Sequence, residues 1–237
     1  MKKFTEQLEE TRKKITNQLD ETRKKINSYS FDAHWYRRVC HAFGACFLFY
    51  YMLPDVDWIN IIKFWVPLFI FVFAVILEIL RLKGVIHSEY FFGLRMYEKK
   101  RVGSYLFFGL AVIILVYFFP QQIAIPCILC GCLADPIMGE VRYRFGKNYV
   151  YVFGFLVCMI FFMVSWYTAD LWVLFLVSIV GASGAVLGEV RKFWWLDDDF
   201  MIQIVPAVLL LILLFVLTNI GVSISFKNII YPGDMPW

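Results

Sequence analysis

Seven apolar runs set the rhythm of this chain, at about 39–53, 60–80, 103–119, 121–138, 149–168, 171–189 and 201–222, with charged stretches or short turns between them. Several approach 20 residues, the length at which a helix crosses a hydrocarbon layer of about 30 Å; the first is shorter. Lipid offers the backbone no hydrogen-bond partners, so spans of this kind fold as helices that satisfy their own N–H and C=O groups. The pattern predicts an all-α, polytopic membrane helical bundle of about seven transmembrane helices. Trp58, Trp65, Trp166, Trp172, Trp194 and Trp195 fall near run ends, where an aromatic belt meets the headgroups.

Ahead of the runs the period changes. Glu-Thr-Arg-Lys-Lys-Ile occurs at 10–15 and again at 21–26, and Phe4, Leu8, Ile15, Leu19 and Ile26 recur at steps of four and seven. An eleven-residue repeat is about 3.67 residues per turn, which lines these side chains into one straight stripe on a helix. The other faces are lysine, arginine and glutamate. Residues 1–33 are therefore expected to form an amphipathic basic helical arm, lying on an anionic membrane surface or pairing as a coiled coil in a homodimer. Residues 34–225 form the membrane domain and 226–237 a short C-terminal tail. Residues 1–30 lack the apolar core of a secretory signal.

Composition agrees with the pattern. Hydrophobic residues make up 61% of the 237 and the mean hydropathy is +0.67, against about 45–50% apolar in soluble domains. Placement of charge says more than the net +4. Residues 1–38 hold ten lysines and arginines, 81–101 hold six, 140–147 three and 191–192 two; only Lys63 and Lys227 of the 23 lie elsewhere. With alternating spans all four segments share one side. The positive-inside rule makes that side cytoplasmic, with the N-terminus there and the C-terminus outside or lumenal, in a plasma membrane or endoplasmic reticulum. No nucleic-acid partner is expected. The six cysteines, at 40, 46, 127, 130, 132 and 158, sit in or beside apolar runs and read as small packing groups; no histidine near the 127–132 group completes a zinc set.

The same side collects the polar residues with chemical potential. Few charges lie mid-span, whereas transporters bind near the midplane, so the distribution favours an enzyme that joins a water-soluble donor to a lipid headgroup. Asp135 precedes Pro136 at the edge of a span. Either the pair caps a new helix, whose free N–H groups form an anion site, or the helix runs through. In the second case Asp135, Gly139, Arg142 and Gly146 share one stripe. Asp197, Asp198 and Asp199 stand directly before the last run. They serve as a helix cap favoured by the macrodipole, or as a carboxylate group whose repulsion a bound magnesium ion relieves. Gly181, Gly184 and Gly188 read as a helix-packing face, with Glu189 at its end. Glu78 and Arg81 are spaced to pair, as are Glu140 and Arg144. Lys99 and Lys100 are topology charges and candidate phosphate binders, and His41 lies at the edge of the first run.

Five pieces in one order resemble the CTP-dependent lipid-alcohol kinases, a family that includes dolichol kinase, phytol kinase and the yeast-type diacylglycerol kinase. Arg38-Val-Cys-His41 is similar to their R-K-x-x-H opening, and Glu78-Ile-Leu-Arg81 to the acidic-x-x-Arg end of the next span. Glu98-Lys99-Lys100 through Tyr105 resembles the approach to their third span. Ala134-Asp135 through Gly139 to Gly146-Lys147 resembles their S/A-D-x-x-A…G…(F/Y)-G segment. Glu189 and Trp195-Leu-Asp197-Asp198-Asp199, with Pro206 beyond, are similar to their acidic residue and W-x-D-D-N-φ-x-I-P. The likeness covers about residues 35–210. It departs at the family's Lys-Ser-x-x-Gly, which is not found, at Asp199, where the family has Asn, and at a proline that comes later.

The resemblance implies phosphoryl transfer from CTP to the hydroxyl of a membrane lipid alcohol, of polyprenol, dolichol or diacylglycerol type, with Mg2+. It implies catalytic roles for Asp135, Glu189 and Asp198, and metal ligation by Asp135, Asp198 and Asp199. Lys99, Lys100, Arg142, Lys147, Gly139 and Gly146 are implied for nucleotide and phosphate, and Arg38, His41, Glu78 and Arg81 for the substrate pocket. Two other classes stand beside it. A membrane cytidylyltransferase also uses CTP, but its K-D…P-G-H-G-G…D-R signature is not seen. A non-catalytic scaffold or transporter of the same fold would consume no nucleotide.

Overall fold

A computed structural model describes residues 35–36, 38–87, 90–91, 94, 98–190, 196–222, 224 and 228–230, apart from the side chains of 147 and 148. The expected N-terminal arm lies outside the described residues, as do most of the C-terminal tail and Arg191, Lys192, Trp194 and Trp195. Among the described residues the fold is all helical, without strands. A leading helical segment over 38–43 continues through a 3-10 turn, Gly44–Leu48, into α1 (Phe49–Met52). Then follow α2 (Asp57–Leu82), α3 (Ser104–Phe118), α4 (Gln121–Leu129), a π turn (Cys130–Ala134), α5 (Asp135–Phe145), α6 (Lys147–Ser165), α7 (Leu171–Val190) and α8 (Asp198–Asn219).

Among the described residues four helical stretches are long and apolar enough to cross a membrane: Asp57–Leu82, Gln121–Phe145, Leu171–Val190 and Asp198–Asn219. Ser104–Phe118 and Tyr149–Ser165 are apolar but shorter. The run at 39–53 is not one helix; the 3-10 turn interrupts it. Continuity across 121–145 also decides between the two readings of Asp135. Both Ala134 and Asp135 keep helical backbone angles, so Asp135-Pro136 does not cap a separate helix with free N–H groups. Pro136 has no N–H to give, and its ring crowds the carbonyl four residues back. The π turn just before it widens the helix and absorbs that misfit.

The core is built by α3 through α8. α8 packs against α7, α3 and α4, and α6 lies against α7, α5 and α4. Leu115, Ile123, Ile128, Phe162, Ile202 and Leu210 are fully buried at its centre. α2 stands apart, touching chiefly α3, with nearly all of its apolar surface outward. Removal of apolar side chains from water is the dominant favourable term in such cores, but in a bilayer close packing decides which helices meet. The six cysteines are free, and those at 127, 130, 132 and 158 are buried, as packing groups should be.

Glycines set the closest approaches. A Cβ at Gly184 would come 2.8 Å from Pro206 Cα, and one at Gly188 would come 2.4 Å from the Met201 carbonyl oxygen. The Gly181-Gly184-Gly188 stripe is thus the face on which α7 meets α6 and α8, as its spacing predicts. At one end of the bundle Trp166 Nε1 donates to the Gln122 carbonyl (2.9 Å), and Gln121 exchanges hydrogen bonds with the backbone of Ile230. The charged helix ends gather at the other.

Candidate functional site

Three close contacts assemble the charged end, and each needs a residue without a side chain. A Cβ at Gly44 would come 3.0 Å from Cys132 Sγ and 2.7 Å from the Phe108 ring; one at Gly131 would come 2.7 Å from Gln203 Cδ. With Gly188 against Met201, these bring the leading segment, the π turn and the end of α7 onto the start of α8. His41 lies three residues before Gly44, Asp135 four after Gly131, Glu189 one after Gly188, and Asp199 one helical turn before Gln203. Four residues far apart in sequence therefore meet.

His41 is the hinge of that meeting. Its Nε2 lies 3.7 Å from Asp199 Oδ2 and its Nδ1 lies 4.0 Å from Asp135 Oδ2. One ligand atom from each of His41, Asp135 and Asp199 falls within 4.8 Å of the other two, and the same holds for Asp197, Asp198 and Asp199. Asp199 is 1% exposed. Asp197 caps α8 by accepting from the Asp199 N–H (3.2 Å), and Asp198 opens the helix. The capping reading of the triplet holds at Asp197, and the three carboxylates also stand close together. Burial, the hydrogen bond with Asp198, and then the charges of Asp199 and Asp198 push the Asp197 carboxyl up to about 8. A buried carboxylate among like charges keeps its proton.

Among the described residues Arg142 reaches into this group of acids. Arg142 donates to Glu189 Oε1 and feels the charge of Asp135. Glu189 lies in the field of Asp198 and Asp199, and its second oxygen, Oε2, is buried without a hydrogen bond. His41 Nδ1 and Gln203 Oε1 are buried and unpartnered as well. Buried polar atoms in native folds nearly always have partners, so three orphans around one cluster make it the candidate site.

The other side of His41 faces a cavity of about 350 Å³. Tyr36, Phe91, Tyr105 and Phe108 form aromatic walls, and His41 and Glu98 supply polar groups. The imidazole meets Phe108 edge to face at 5.4 Å. The volume is within the range of ligand pockets, about 300–1,000 Å³.

The remaining expected site residues are placed elsewhere. Glu78 and Arg81 do not line that cavity. Arg81 Nε and Nη2 donate to the two oxygens of Glu78, both at 2.7 Å, and the pair is buried at 2% and 3% exposure. Arg38 donates to Glu140, which also accepts from Arg144, so Arg38 ties the leading segment to α5. Lys99 and Lys100 are exposed on a 3-10 turn, Glu98–Lys100. Gly139 has open space around it, and Gly146, at φ +87°, makes the turn between α5 and α6. Lys147 opens α6. Gly44, Gly131 and Gln203 were not singled out from the sequence; small residues near Cys132 and His41 were the available hint.

Comparison with protein families, with curated proteins and with solved structures finds no match to this chain.

Proposed function

We propose that this protein is a membrane-embedded kinase that transfers the terminal phosphoryl group of CTP to a lipid alcohol. The observation that carries the reading is the convergence of Asp135, Asp199 and His41 at one end of the bundle, with His41 also walling an aromatic cavity. An acid cluster beside an apolar pocket suits a metal–nucleotide next to a lipid hydroxyl. The four long helices, α3, α6 and the leading segment together make the seven passages proposed, with the charged end and N-terminus cytoplasmic and the C-terminus outside or lumenal. The bilayer is a plasma membrane or an endoplasmic reticulum.

The donor set fits Mg2+. Asp135, Asp198 and Asp199 offer the hard carboxylate oxygens that such an ion takes, and Glu189 Oε2 is an orphan acceptor nearby. An ion held by these residues would supply positive charge against the charge that builds on the phosphate during transfer. The protein's own residues do the rest. The acceptor's first carbons rest on Phe108 and Tyr105, and its hydroxyl points past His41. Asp135 accepts the hydroxyl proton as the alcohol oxygen bonds the terminal phosphorus. The bond to the bridging oxygen breaks, and CDP leaves. Arg142, Lys99, Lys100 and Lys147 hold phosphates, and Glu189 holds Arg142 in place.

The deciding experiment gives purified protein labelled CTP or ATP with a panel of prenols and diacylglycerol. Labelled lipid phosphate formed from CTP is the expected result. A folded protein that labels no lipid alcohol overturns the reading and leaves the scaffold or transporter class.

A further inference from the structure

The spacing around His41 sets a puzzle that an ordinary salt bridge does not solve. At 3.7 and 4.0 Å from the two carboxylate oxygens, its nitrogens are too far for hydrogen bonds, which end near 3.2 Å for N–H···O. They are also too close for indifference. Two atoms held by one ion at about 2.0–2.2 Å each lie at most about 4.2 Å apart. An ion binds one nitrogen of a ring, so the limit applies to Nε2 and Asp199 Oδ2, which at 3.7 Å fall inside it; one ligand atom from each of the three residues lies within 4.8 Å of the other two. A contraction of a few tenths of an ångström closes the set.

Charge points the same way. Among the described residues Asp135, Glu189, Asp197, Asp198 and Asp199 crowd this end against Arg142. Glu189, at 4% exposure, keeps an unpartnered oxygen, and so does the fully buried Gln203. The unpartnered Nδ1 of His41 adds a donor that magnesium has little use for. Mg2+ holds oxygen ligands and water, whereas imidazole suits the transition series, whose affinity for nitrogen sites exceeds that of Mg2+.

We infer that His41 is itself a metal ligand, so that His41, Asp135 and Asp199 form a mixed nitrogen–oxygen site that prefers a divalent ion of the transition series over Mg2+, with Mn2+ as its spectroscopic probe. The inference rests on the proposed metal role of these acids and adds the ligand that sets ion preference. One ring nitrogen binds the ion beside the two carboxylates, and the other is left for an outer contact that fixes the ring, as in metal-bound histidines generally.

The test uses the full chain in detergent, stripped with chelator and titrated with Mn2+ in the absence of nucleotide and lipid. One Mn2+ per chain is expected, bound at least about tenfold more tightly than Mg2+. Affinity should fall about 10–100-fold in His41→Gln, the range typical of losing a metal-site contact. Pulsed electron paramagnetic resonance of bound Mn2+ should show 14N modulation in the native protein and none in His41→Gln. The native spectrum decides even if the variant misfolds. Bound Mn2+ without 14N modulation, equal affinity for Mg2+, or no retained ion overturns the inference. Kinase activity without nitrogen coordination sinks this inference and spares the kinase. Nitrogen-coordinated Mn2+ in a protein that phosphorylates nothing does the opposite.

Discussion

Two buried groups of charged side chains lie at the charged end of the bundle, and they are finished differently. Around Glu78 every demand is met. Arg81 binds both carboxylate oxygens, the Gly103 N–H donates to Oε1 (2.6 Å), and Tyr105 Oη donates to Oε2 (2.5 Å). Arg81 in turn donates to the carbonyls of Lys99 (3.3 Å) and Arg101 (2.6 Å). Charge cancels, and the end of α2 is locked to the start of α3. Around Asp199 the hydrogen bonding is incomplete: His41 Nδ1, Glu189 Oε2 and Gln203 Oε1 go without partners. A closed network of buried charge is a structural joint. An open one, built around buried Asp199 and Glu189, is where the proposed metal would be held.

The largest effects should come from breaking the closed group. Removing one partner of a buried pair strands the other's charge, at about 3–5 kcal/mol. Glu78→Ala and Arg81→Ala are each expected to lose that much stability, read from unfolding in mixed micelles. The double variant should lose less than the two losses added together. Additive losses would mean the two side chains act independently, and the contrast with the open group would fail.

Opening the other group further should do the reverse. Asp135→Asn and Asp198→Asn each keep the side chain's shape and remove one candidate ligand charge, so the loss should fall on the reaction. Turnover with CTP should fall more than about 100-fold, or about 2.7 kcal/mol in the barrier. Full turnover in a folded Asp135→Asn protein would remove Asp135 from the reaction.

The ends of this comparison were unequally readable beforehand. Glu78–Arg81 and Glu140–Arg144 stand three and four positions apart, and helical periodicity alone pairs such neighbours. The acids flanking the last two runs and the glycine face of α7 were visible for the same reason. Arg142–Glu189 and Arg38–Glu140 span 47 and 102 positions. Helical spacing says nothing about partners that only packing brings together. The π turn was hidden too, because the residue before a proline ordinarily leaves helical geometry, whereas widening of the preceding turn let Asp135 stay in it.

Helix contact supplies a smaller test. Gly188 lets α7 meet the first turns of α8, and a methyl group there would lie 2.4 Å from the Met201 carbonyl oxygen. Backbone cannot yield as a flexible side chain would, so Gly188→Ala should cost about 1–3 kcal/mol as overpacking. It should also shift Glu189 and weaken turnover. Gly139→Ala, with nothing within 4 Å, is the control and should change stability by less than about 0.5 kcal/mol.

The gentlest probe is pH. Asp197 titrates near 3.8 when unhindered and at about 8 in the fold, so the folded state binds its proton more tightly than the unfolded chain does. The stability that this proton contributes is complete below the lower value and is lost as pH climbs towards the upper one. One proton limits the slope to about 1.4 kcal/mol per pH unit. In chelator, the melting temperature should therefore decline between pH 6 and 8 and level off above that. Asp197→Asn keeps a capping oxygen for the Asp199 N–H but cannot ionise, so its melting curve should be flatter over the same interval. The Glu78–Arg81 joint holds no such proton, and Glu78→Gln should not flatten the decline. A wild-type protein as steady as Asp197→Asn between pH 6 and 8 would show that the acids are neutralised by something already in the chain, and the distinction between the closed and open groups would vanish.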